Sequence, residues 1–147
     1  MSPHEVVLVE RQRVIAASIL GLDKPPADDL EVVRMVRNRL HTQTINALQA
    51  AGIDTKSLTR IIPRRTLEHR RQKGEALSLE ESERAYRTAN IVALAEAVFG
   101  NRDKAMVWLN APKARFDGEP PMDLVDTEVG ARLVEETLIQ IDEGYFA

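Results

Sequence analysis

The stretch that most constrains this chain is residues 78–100, "SLEESERAYRTANIVALAEAVFG". Ser78 with Glu81 three residues later is a capping-box pattern that opens a helix. Gly100 accepts the left-handed backbone that closes one. Between them "ANIVALAEAVF" is apolar nearly all round, so its helix should be buried on every side, as the central element of the C-terminal part. Elsewhere no segment of four or more residues alternates cleanly between apolar and polar, and the β-branched residues are scattered. The expected fold class is all-α.

The other helices follow from spacing and punctuation. "PHEVVLVERQRVIAASIL", residues 3–20, starts on a proline suited to a first helical turn. "GLDKPPADD" then reads as a linker. A second helix over 27–40 would place Leu30, Val33, Val36 and Leu40 inward. "TQTINALQAAG" closes at Gly52, and "DTKSLTRI" starts on the capping residue Asp54. "PRRTLEHRRQKG" follows at once. After Gly100, "NRDKAMVWLN" is stopped by Pro112, and "APKARFDGEPPMDLVD" reads as loop. A last amphipathic helix would turn Val129, Leu133, Leu138 and Ile141 inward. The domain expectation is an N-terminal helix and linker over 1–26, a DNA-binding unit over 27–76 and a second helical unit over 77–147.

Composition narrows the function classes. With 147 residues, 44% hydrophobic and 29% charged, the chain is sized and composed as one ordinary globular domain or two small ones. It has no cysteine, hence no disulfide framework and no thiolate site. No secretory signal pattern and no membrane-length apolar run stand out, so the chain reads as cytoplasmic. His4, His41 and His69 lie far apart with no HExxH spacing, and no glycine-rich phosphate loop occurs. Glu135 and Glu136 are adjacent, and helical neighbours point about 100° apart, so they form no paired carboxylate site. No catalytic group, cofactor site or metal site is expected.

The net charge of -3 conceals an asymmetry. Residues 60–73 carry six cations against the single acid Glu68, whereas residues 117–147 carry nine acids against Arg132. The basic segment lies where "DTKSLTRI" and "PRRTLEHRRQKG" have the lengths of a helix-turn-helix. With Leu67 turned to the core, Arg65, His69 and Gln72 point outward with Glu68 beside them. Arg64, Arg70, Arg71 and Lys73 fall on the flanks or the end. Outward Arg and Gln suit base edges, and flanking cations suit phosphates; a solvated basic face is the plainer alternative. At the acidic end, "IDEGYFA" sets two aromatics and the terminal carboxylate after Gly144. Such a tail fits a partner's cationic cleft. The alternative is that the aromatics fold back on their own domain. Trp108, the one tryptophan, reads as a core or interface anchor.

One ordered set of residues is more specific. It comprises Trp108-Leu109, Pro112, Gly118-x-Pro120, Leu124, Asp126-Thr127, Gly130, and Ile141 followed by Gly144. Together with the basic segment, it makes residues 28–147 resemble the MbcA/ParS/Xre family of antitoxins. The resemblance implies an N-terminal Xre-like helix-turn-helix domain that binds the promoter of its own operon. It also implies a C-terminal helical domain that neutralises a RES-domain, NAD-degrading toxin by covering its active site. The residues implied to face DNA are Arg64, Arg65, Thr66, Glu68, His69, Arg70, Arg71, Gln72 and Lys73. Those implied to meet toxin are Asp142, Glu143, Gly144, Tyr145, Phe146 and Ala147. The expected partners are that toxin, operator DNA and a second copy of the chain. The chain departs from the family at Ile61, where a glycine is usual, and at Pro63, where a serine cap is usual. The competing expectations are a stand-alone helix-turn-helix regulator whose C-terminal half dimerises, and a structural adaptor.

Overall fold

The structure, a computed structural model, describes residues 1–144. Its elements are α1 (Pro3–Leu20), α2 (Asp29–Arg37), α3 (Gln43–Ala50), α4 (Thr55–Ile61), α5 (Arg64–Lys73), α6 (Leu79–Phe99), α7 (Arg102–Asn110), α8 (Pro121–Leu124) and α9 (Glu128–Asp142), with a 3-10 turn over Ala114–Phe116. Among the described residues there is no strand, so the fold is all-α. None of these helices is long and apolar enough to cross a membrane. The chain divides into two compact units: residues 17–89, and residues 1–16 together with the chain from Asn90 onward. The divisions fall inside α1 and α6, so each of those helices contributes to both units.

In the 17–89 unit, Ile19, Leu48, Ile53, Ile61, Ile62 and Leu77 are fully buried. Asp54 caps α4 by accepting from the Ser57 N–H at 2.9 Å. The chain ahead of α6 is pinned twice near Leu40: the Leu77 N–H donates to the Leu40 carbonyl, and the Leu40 N–H donates to the buried Ser82 hydroxyl, each at 2.9 Å. The capping box forms as the sequence indicates, with the Ser78 N–H donating to Glu81 at 2.7 Å and the Glu81 N–H donating to Ser78 at 3.1 Å. α2 departs from expectation. It buries no residue, and Leu30 and Val33 are exposed. Its Asp28 cap and its charge order, acids first and cations last, suit the helix dipole and hold a helix that packing does little for.

In the other unit, residues 91–95 of α6 are buried without a break, as the apolar run requires. α1 is attached here through the Gln12 side chain, whose Nε2 donates to the Asn90 carbonyl at 3.1 Å. The segment 111–126 is not purely loop. Pro120 and Pro121 start the short α8, where a proline's fixed φ suits the first turn and no N–H is lost. α9 is rotated from the expected face. It buries Gly130, Ala131, Val134, Thr137 and Leu138 and leaves Val129 and Leu133 exposed.

Gly130 explains that rotation. A Cβ there would lie 1.8 Å from the Leu124 carbonyl oxygen and 2.7 Å from its carbon. The end of α8 therefore sits against the bare backbone of α9, and Thr127 caps α9 by accepting from the Gly130 N–H at 2.9 Å. In an ordinary helix interior, glycine to alanine stabilises by about 0.5–1 kcal/mol. Here the clash with backbone outweighs that gain. Gly130→Ala should destabilise the protein by about 3 kcal/mol, measured by urea unfolding, and a stabilised variant would refute the close approach.

Candidate functional site

The basic helix is built by a tight turn. α4 ends at Ile61, Ile62 is extended (φ -151°, ψ 129°), Pro63 follows (φ -59°, ψ 146°), and α5 begins at Arg64. Neither Ile61 nor Pro63 has a positive φ, so this turn needs no glycine. Ile61 and Ile62 are instead buried, at 1% and 2% exposure, and anchor the turn from inside. What Pro63 gives up is the cap: α5 begins with no side-chain cap hydrogen bond. Gly74, in the left-handed region (φ 67°), closes the helix.

α5 has no buried residue, and Leu67 is only half-buried. Its position is set instead by an ion pair between half-buried Arg70 and a buried carboxylate. Arg70 Nε and Nη2 donate to the two oxygens of Glu81 at 3.0 and 3.1 Å, and Arg70 Nη1 reaches Glu75 at 3.3 Å. Glu81 is the acceptor in the capping box of α6 and is itself buried. Burial alone would push its carboxyl group up. The hydrogen bonds from Arg70 and Ser78 more than offset this and hold it below the ordinary glutamate value of 4.5. The same pairing, led by the hydrogen bond to Glu81, raises Arg70 above the usual guanidinium value. Arg71 donates to the Asn46 side chain on α3.

These ties sort the sequence-selected residues. Arg64, Arg65, Glu68, His69, Gln72 and Lys73 are exposed on one short helix, and Thr66 is half-buried among them. Arg70 and Arg71 are engaged by the body of the 17–89 unit. Sequence periodicity could not separate the two groups, because the partners Glu81 and Asn46 lie 11 and 25 residues away.

The acidic end is placed in the other unit. Asp142 accepts from His4 Nε2 at 2.6 Å and is half-buried, while Glu143 is exposed and caps α9. Gly144 is left-handed (φ 84°). Tyr145, Phe146 and Ala147 lie outside the described residues. Next to the end of α9 is an open groove of about 570 Å³ lined by Trp108, Lys113, Ala114, Arg115, Thr137 and Ile141. Trp108 is half-buried, with its ring 5.9 Å from that of Phe99 and Lys113 Nζ 5.2 Å above it. Also missed from sequence was the exposed apolar pair Val129 and Leu133 on α9, whose spacing mimics an inner stripe.

Because Glu81 titrates below its ordinary value in the folded chain, its contribution to stability is present above about pH 4.5 and is lost as pH falls through the lower, folded value. Glu81→Gln should therefore lower stability at neutral pH and flatten the acid limb of a stability–pH curve. Arg70→Ala, which strands the carboxylate, should cost about 3 kcal/mol at pH 7 in urea melts. Wild-type stability in Arg70→Ala would show that the pair does not hold α5.

Comparison with known proteins agrees with this geometry in both units. Residues 31–90 match the antitoxin Xre-like helix-turn-helix domain, and residues 94–144 match the antitoxin Xre/MbcA/ParS C-terminal toxin-binding domain. The chain is 41% identical over 126 residues to a protein named Antitoxin Xre from Pseudomonas putida, across 84% of this chain and 79% of that protein. It is 34% identical over 101 residues to another Antitoxin Xre, from Yersinia enterocolitica, across 68% of this chain and 62% of that one.

Proposed function

The chain belongs to the Xre/MbcA/ParS antitoxin family, and on that premise we propose that it neutralises a RES-domain, NAD-degrading toxin by covering the toxin's active site. In the same reading it acts in the cytoplasm, as a homodimer within a larger toxin–antitoxin complex, and represses its own operon by binding operator DNA. It is an antitoxin, not an enzyme. The observation that carries the reading is the succession on one chain of a helix-turn-helix domain and a toxin-binding domain. That succession weighs against a stand-alone regulator whose second half only dimerises.

The division of labour follows the proposed domains, with 27–76 meeting DNA, 77–147 meeting toxin, and 1–26 as helix and linker. On α5, Arg65, His69 and Gln72 address the groove, with Glu68 and Thr66 beside them, while Arg64 and Lys73 contact phosphates. Arg70 and Arg71 position the helix that presents them. On the toxin side, the segment from Asp142 to Ala147 enters the toxin's cleft. A pocket built for an anionic dinucleotide is cationic, and a tail bearing Glu143 and two aromatics complements it.

Removing residues 143–147 should abolish protection of cells expressing the cognate toxin, at equal antitoxin levels and unchanged helical content. Full protection by the truncated chain would refute the tail mechanism. Arg65→Ala should weaken binding to the gene's upstream DNA in a gel shift, whereas Arg64→Ala should reduce the slope of log affinity against log salt by about one. Equal binding at all salt concentrations would remove Arg65 from the interface.

A further inference from the structure

The acid that closes α9 stands where a helix least supports one. Asp142 is the last residue of α9, at the end where unpaired carbonyls make a helix negative. α9 carries no cation in its last turn to offset this. The donor comes instead from 138 residues away in sequence, with His4 Nε2 lying 2.6 Å from Asp142 Oδ2. A carboxylate only accepts, so this bond puts a proton on His4 Nε2. The Asp142 side chain is 14% exposed and that of His4 67%. The pair is shielded on the side of the acid and open on the side of the imidazole.

α1 is built to hold His4 there. His4, Leu8 and Gln12 are four residues apart and stack on one side of the helix. Gln12 Nε2 donates to the Asn90 carbonyl of α6, and Leu8 is buried, so this side of α1 is tied along its length. The first turn, which carries His4, is held by a reciprocal cap. The Ser2 N–H donates to Glu5 at 2.9 Å, and the Glu5 N–H donates to the Ser2 hydroxyl at 3.2 Å. Between His4 and Gln12 the helix rises about 12 Å, so α1 runs as a strut from α6 to the end of α9. All of these residues fall in the unit formed by 1–16 and the chain from Asn90 onward. Yet α1 lies outside both stretches that match known domains, 31–90 and 94–144.

We propose that His4 is a positioning residue for toxin binding: by holding Asp142 it fixes the point at which residues 143–147 leave the domain. The proposal rests on the functional reading above, in which that segment enters the toxin's cleft, and it gives the N-terminal helix a part in neutralisation. Asp142 is the anchor, and the residues after it are the part delivered to the toxin. A segment whose root is already fixed loses less conformational freedom on binding than one whose root moves.

The test is calorimetric titration of the full chain with the RES-domain protein encoded beside its gene. His4→Ala should weaken binding about tenfold, the loss of one hydrogen bond to a charged acceptor. His4→Gln keeps an N–H donor at nearly the same place and should restore wild-type binding. In a chain that already carries Asp142→Ala, His4→Ala should make no further difference, because effects that pass through one shared partner do not add. His4 is largely exposed, and unchanged circular dichroism would show that each variant keeps its fold. A wild-type chain that does not bind this protein would overturn the functional reading and this role with it. Wild-type binding that His4→Ala leaves unchanged would overturn the role of His4 alone. A loss that His4→Gln does not restore, or that persists beside Asp142→Ala, would mean that His4 acts other than by holding Asp142, and would overturn the positioning role.

Discussion

The arrangement of the 17–89 unit depends on one buried carboxylate. Glu81 accepts from the Ser78 N–H and from two nitrogens of Arg70, so a single side chain both starts α6 and fixes α5. Burying a charge is costly unless its lone pairs are met, and here they are met by a backbone amide and a bidentate guanidinium. The apolar alternative is closed to α5, which buries no residue and whose Leu67 is only half-covered. A helix whose surface is almost wholly polar has little apolar area with which to dock. A directional ion pair at its C-terminal turn holds it in place while occupying one side chain. Elsewhere in the unit the same economy appears in Arg84, whose Nε donates to the Ile61 carbonyl at 3.0 Å and steadies the end of α4 just before the turn.

Much of this fold was legible in the sequence because its punctuation is local. Pro3, Asp54, Ser78 with Glu81, Gly100 and Pro112 each act on the few backbone groups beside them, and the helices begin or end within a residue or two of those signals. The apolar run in α6 was equally readable, since burial on every side leaves no choice of face. The ordered C-terminal residues acquire physical reasons in the structure. Thr127 is a cap, Gly118 and Gly144 take left-handed backbone, and Gly130 makes room for a carbonyl.

What was not legible depended on partners distant in sequence. Leu30 and Val33 have helical spacing, but among the described residues no element covers them enough to bury them. On α9 the pattern offered two overlapping stripes, one through Val129 and Leu133 and one through Val134 and Leu138. The Leu124 carbonyl chose between them, and nothing in periodicity could reveal that choice. The roles on α5 divide for the same reason. Arg70 looks like any other cation of the basic run until Glu81 is placed beside it. The departures at Ile61 and Pro63 change meaning too: the backbone there is ordinary, so the substituted residues alter capping and packing rather than turn geometry.

The path of the chain has a consequence for how the protein is assembled. The unit that carries the match to the toxin-binding domain contains both the first sixteen residues and everything from Asn90 onward, whereas α4 and α5 lie wholly within 17–89. Residues 1–16 can therefore meet the other segment of their unit only across the whole 17–89 stretch, so closing this unit carries a long-loop entropy that the 17–89 unit does not.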